Sequence, residues 1–64
     1  MNENAVRKAS TIKPGDRIGF NIGKRVYFDR VSDVRHIRDG LVHIDINDNT
    51  GVLIFKEDEL VDVA

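Results

Sequence analysis

Two histidines flank the sharpest turn signal in the chain. Asp39-Gly40 stands between apolar runs, and both residue types tolerate the positive φ of a two-residue type I′ hairpin. Closing the chain there pairs Ile37 with Val42 and sets His36 opposite His43. Opposed residues hold their Cβ atoms about 4.5–5.5 Å apart, close enough for both imidazoles to touch one ion. A structural zinc site takes four ligands, and beyond Asp45 the sequence offers no obvious further donor. The pair therefore reads first as an exposed cross-strand contact. A pH-sensitive pair is the secondary reading, and no metal is assigned.

Two further segments imitate ligand loops. Gly19-Phe20-Asn21-Ile22-Gly23-Lys24-Arg25 has the flavour of a phosphate loop. Its spacing is one residue short, Arg25 stands where Ser or Thr must reach magnesium, and no helix follows. It reads as a hairpin loop. Asp45-x-Asn47-x-Asn49 opens like a calcium loop, but Thr50 occupies the glycine position and Lys56 the position of the bidentate glutamate. It reads as a solvated turn.

Catalytic groups are scarce. Ser10 and Ser32 are the only serines, there is no cysteine, and Asp58 and Glu59 sit in a polar turn. Such a carboxylate pair lacks the apolar pocket that drives two pKa values apart. A domain this thin has no room for an interior pocket of about 300 Å³ or more. The expectation is a non-enzymatic chain without a cofactor.

Basic residues form the most suggestive set: Arg7, Lys8, Lys13, Arg17, Lys24, Arg25, Arg30, Arg35 and Arg38. Cations neutralise phosphates, and an exposed aromatic such as Tyr27 gives a base something to stack on. The chain-wide pI near 6.0 falls short of the footprint of a dedicated nucleic-acid binder. A second surface is apolar, with Phe55, Leu53, Leu41 and Tyr27 as its expected members.

The elements that must position these groups are strands. Lys13-Pro14-Gly15-Asp16 is a turn, since proline presets φ and glycine accepts a positive one. Ile18, Phe20 and Ile22 then alternate with Arg17, Gly19 and Asn21, which is strand periodicity. From Arg25 to Arg38 the phase changes: Val26 and Phe28 agree, whereas Val31 and Ile37 fall on the other parity. A bulge between Asp29 and Asp33 accounts for this. The helical alternative, an i, i+3, i+6 stripe of Val31, Val34 and Ile37, is disfavoured by β-branching and missing caps. Leu41 to Ile46 returns with Val42, Ile44 and Ile46 inward, and Asn47 to Gly51 is a polar loop. Val52-Leu53-Ile54-Phe55 is apolar on both faces and so asks for cover on both sides. Lys56 to Glu59 suits one 3₁₀ turn, and Leu60 to Val63 a closing strand.

The 64 residues carry a net charge of −1 and no cysteine. A chain of that size buries only about 60% of its unfolded surface, and no disulfide is present to compensate. Residues 1–30 hold a net +4 and residues 31–64 a net −5, a polarity suited to basic, acidic or self-complementary contacts. The longest aliphatic and aromatic run is four residues, far below the roughly 20 of a membrane span or the 7–15 of a signal peptide. The expected location is cytoplasmic, without a membrane partner.

Pro14-Gly15-Asp16-x-Ile18 leading a strand, followed by a glycine-centred hairpin, resembles the SH3-like barrels of the KOW type. Asn49-Thr50-Gly51 through Glu57-Asp58-Glu59-Leu60-Val61-Asp62-Val63 is similar to the C-terminal end of the PsaE family of photosystem I, another SH3-like barrel. The resemblance covers roughly residues 12–63. It implies an all-β, five-stranded SH3-like barrel over residues 12–64, preceded by a flexible arm at 1–11. The expected core is Ile18, Phe20, Val26, Phe28, Ile37, Val42, Ile44, Ile46, Val52, Ile54 and Val61. The expected function is a protein-interaction module or accessory subunit, with a protein partner or self-association. The alternative, which the KOW resemblance allows, is nucleic-acid binding through the basic first half. The candidate surface comprises Arg17, Lys24, Arg25, Tyr27, Arg35, His36, Arg38, His43 and Phe55.

Overall fold

The structure is a computed structural model that describes residues 5–64. Six strands follow in order: β1 (Ala5–Lys8), β2 (Arg17–Ile22), β3 (Arg25–Ile37), β4 (Leu41–Ile46), β5 (Gly51–Lys56) and β6 (Leu60–Val63). They form one sheet in the order β1-β6-β2-β3-β4-β5, and every pairing is antiparallel. Among the described residues no helix is long and apolar enough to cross a membrane.

The all-β expectation holds, and two of its details are corrected. There are six strands instead of five, and the sheet is not closed into a barrel: β1 and β5 remain its edges. The sequence predicts an arm over residues 1–11, yet residues 5–8 pair with β6 from Ala5↔Val63 to Lys8↔Leu60. Residues 1–4 lie outside the described residues. A 3₁₀ turn, Ala9–Thr11, follows β1. There the Ala9 and Ser10 amides donate to the Glu59 and Glu57 carbonyls at 2.8 and 3.1 Å. The chain after β1 thus binds the β5–β6 connection, which leaves the edge of β5 unpaired among the described residues. The 3₁₀ turn predicted near Lys56 to Glu59 is an ordinary turn; the second 3₁₀ element is Arg38–Gly40.

Hairpin geometry follows residue type. Gly23-Lys24 closes β2 onto β3 with Gly23 at φ +62° and Ile22 opposite Arg25, the pattern of a glycine-first two-residue turn. At the next hairpin Asp39 and Gly40 take φ of +65° and +70°, as their types predict. The loop nevertheless has three residues, because Ile37 pairs with Leu41.

Between Val31 and Asp33 the β3–β4 register shifts by one, leaving Ser32 as the extra residue. This is the predicted bulge. It moves the inward phase from Val31 to Val34, so one long strand serves two parts of the sheet. Ser32 is also used: its hydroxyl donates to Asn49 Oδ1 at 2.8 Å and accepts from the Asn49 amide at 3.1 Å. That contact holds the β4–β5 loop, where Asn47, Asp48 and Asn49 all take positive φ.

The core consists of Ala9, Ile12, Ile18, Val31, Val42, Ile44, Ile46, Val61 and Val63, with Phe20, Val34, Leu53 and Phe55 against it. Four predicted core residues are exposed instead: Val26, Ile37, Val52 and Ile54. Phe28 is half-buried on the opposite side of the sheet. It pairs with Gly19, and its ring lies where a Gly19 side chain would project.

Candidate interaction surface

The register of β3, β4 and β5 sets nine residues in three cross-strand rows on the outer face: Ile37-Leu41-Lys56, Arg35-His43-Ile54 and Asp33-Asp45-Val52. The inner face of the same strands is the core, since Leu53 lies opposite Ile44 and Phe55 opposite Val42. Val52, Ile54 and Ile37 are 51%, 58% and 43% exposed. Among the described residues nothing covers the second apolar face of β5 that the sequence presents.

Asp45 is the buried charge of this face, at 7% exposure. Its walls are Asp33 and Val52 across the strands and His43 along its own. Arg35 Nη2 approaches to 3.7 Å and His43 Nε2 to 3.5 Å. The imidazole contact is near enough for attraction when the ring is protonated but is not a hydrogen bond, because His43 Nε2 has no partner. The arginine is largely exposed, so its pair with Asp45 contributes little. Among the described residues no three His, Cys, Asp or Glu side chains converge to hold a metal.

The predicted site residues divide among separate places. Arg35 and His43 face each other on the outer surface. His36 instead lies opposite Val42, at the exposed end of the inner side. The predicted His36–His43 pair is therefore wrong, and the cause is the extra loop residue, which shifts the register by one and sends the rings to opposite faces. Arg38 is in that loop. Phe55 and Leu53 pack inward, so the exposed patch expected from them belongs to Val52 and Ile54. Leu41 is half-buried within the outer grid. The sequence signal for Val52 and Ile54 was their alternation with Leu53 and Phe55, without an indication of which pair turned inward.

Arg17, Lys24, Arg25 and Tyr27 belong to the β2–β3 hairpin, whose residues from Asn21 to Tyr27 are all exposed. Tyr27 stacks on Phe20 with ring centroids 6.2 Å apart. Arg17 lies directly opposite Arg30. A surface cleft of about 360 Å³ separates the hairpin base from the β4–β5 loop, lined by residues that include Pro14, Asp29, Ser32 and Asp48. Its serine is engaged with Asn49.

At the start of the fold, Asp16 receives Arg7 Nη2 at 2.6 Å and the Lys13 amide at 2.9 Å. Its slight burial raises the carboxyl pKa. The Lys13 amide bond, the Arg7 hydrogen bond and the charges of Arg7 and Lys13 outweigh that and hold it below the usual aspartate value.

No family model, curated protein or solved structure matches this chain.

Proposed function

We propose that the chain is a small non-catalytic protein-interaction module whose contact surface is the outer face of β3–β5 together with the free edge of β5. The observation that carries this reading is the exposure of Val52 and Ile54 on a strand with no outer neighbour among the described residues. Contiguous exposed apolar side chains favour association, and an unpaired edge offers main-chain groups to an extended partner. A test is to pan displayed random peptides on the immobilised protein and on Ile54→Lys. Peptides with alternating apolar residues, retained by the native chain and lost on the variant, are expected. Equal enrichment on both would remove the reading.

A second reading, nucleic-acid binding, is favoured by Arg17 and Arg30. Like charges directly opposite each other are unfavourable until an anion neutralises them. Among the described residues neither makes an ion pair, and neither do Lys24 and Arg25 at the hairpin tip. Anisotropy of labelled single strands and duplex, followed as salt rises, tests it. Binding that falls steeply with salt and disappears in Lys24→Ala/Arg25→Ala supports it; flat curves at low salt end it.

A further inference from the structure

We propose that the edge of β5 pairs antiparallel with β5 of a second copy of this chain, about a two-fold axis at Leu53. The inference rests on the reading of β5 and its outer face as the contact surface, and it names the occupant.

The main chain of β5 decides which groups are free. The Glu57 amide donates to the Gly40 carbonyl at 2.7 Å, so residue 57 turns its backbone towards the β4 side. Backbone groups alternate along a strand. Phe55, Leu53 and Gly51 therefore bond to β4, while Lys56, Ile54 and Val52 point their amides and carbonyls outward. Lys56 confirms the parity: its amide donates to Glu59 Oε1 at 3.2 Å, and its carbonyl accepts from the Glu59 amide at 3.0 Å. Glu59 thus caps the end of the edge. What remains open is the amide and carbonyl of Val52 and of Ile54.

Those groups are self-complementary in one register. With Leu53 opposite Leu53 of the second copy, each Val52 faces an Ile54 as a hydrogen-bonded pair. All the open groups of both copies are then used. Centring the axis on Val52 would call on Thr50, whose amide already donates to Ile46 and Asn47. Centring it on Ile54 would call on Lys56, which Glu59 already occupies. The Leu53 register also sets Val52 beside Ile54 on the outer face. It brings Lys56 of each copy opposite Thr50 of the other, next to the loop that carries Asp48, so opposite charges meet at both ends.

The other edge is unsuited. β1 has four residues and carries Arg7 and Lys8, and short charged edges resist pairing. Within β5, Gly51 to Phe55 contain no charge and no proline, and the pairings show no bulge in that strand.

Sedimentation of the full chain between about 10 μM and about 1 mM tests the proposal, a range suited to a small, largely main-chain interface. The mass is expected to rise towards a dimer and to stay monomeric in Ile54→Lys, a substitution at an exposed position. Amide exchange supplies the second measurement. Val52 and Ile54 are expected to exchange about tenfold or more slowly at high concentration, while exposed loop amides do not change. A monomer throughout, or a dimer that survives Ile54→Lys without slowing those amides, overturns it. A strict monomer that still captures alternating apolar peptides at Val52 and Ile54 overturns the second copy and leaves the proposed function standing. A monomer that captures none ends both.

Discussion

At Gly19 the demand on the residue is steric: a Cβ there would lie 2.9 Å from two ring carbons of Phe28 and 3.2 Å from Asp62 Cβ. Phe28 thereby covers the bare backbone of its cross-strand partner, a known remedy for glycine in a sheet. Gly19→Val is expected to destabilise the fold by about 1–3 kcal/mol through overpacking, read as a lower denaturation midpoint. An unchanged midpoint would mean that the ring swings aside freely. Asp16 makes a different kind of prediction. Its folded pKa lies below the value of 3.8 for an ordinary aspartate, so the folded state binds the proton less readily than the unfolded one. Its stabilisation is present above about pH 4 and is lost as pH falls through the folded value. Melting curves of the native chain and Asp16→Asn should differ at neutral pH and converge in acid. A gap that stays constant down to acid pH would rule out the Arg7 and Lys13 contacts as its source.

Turns and elements were legible where a single residue type dictates its own backbone. Pro14-Gly15, Gly23 and Asp39-Gly40 all bend the chain as their composition predicts, and the bulge falls inside the predicted interval. The faces were less legible, because register depends on how many residues a loop spends. One additional loop residue separated His36 from His43, and the parity of β5 exchanged Leu53 and Phe55 for Val52 and Ile54. In β3, the inward phase of Val31 runs back through Tyr27, so Val26 and Phe28 belong to the other side. The β1 strand left no pattern because four residues are too few to show a period. The β4–β5 loop carries its own prediction. Three consecutive non-glycine residues there occupy the left-handed region, at a cost of up to roughly 1–2 kcal/mol each and less for Asn and Asp. Asp48→Gly should therefore stabilise the protein by about 0.5 kcal/mol, seen as a higher melting temperature. Ser32→Ala should cost about 1 kcal/mol by releasing Asn49, with faster exchange at the Asn49 amide.

The molecule as a whole has little stability to spare. A chain of this length is held by roughly 3–10 kcal/mol, and its apolar centre is concentrated in Ile18, Ile44, Val31 and Val42. Ile44→Ala removes about 2–5 kcal/mol and should leave much of the population unfolded at ordinary temperature, visible as lost amide dispersion by NMR. Retention of a full cooperative melt would mean that the sheet collapses around the cavity. Ile54→Lys, on the outer face, should leave that melt unchanged, which separates the side that folds the chain from the side proposed to meet a partner.

The pairing of Ala5 with Val63 has a mechanical consequence. It sets the start of β1 beside the end of β6, so a load applied across these two residues pulls perpendicular to the strands. Hydrogen bonds loaded in that direction break one pair at a time, as in a zip, instead of sharing the force as they do in shear. A molecule stretched between these points should yield first at β1, at low force, with the hairpins of β2 to β5 opening afterwards.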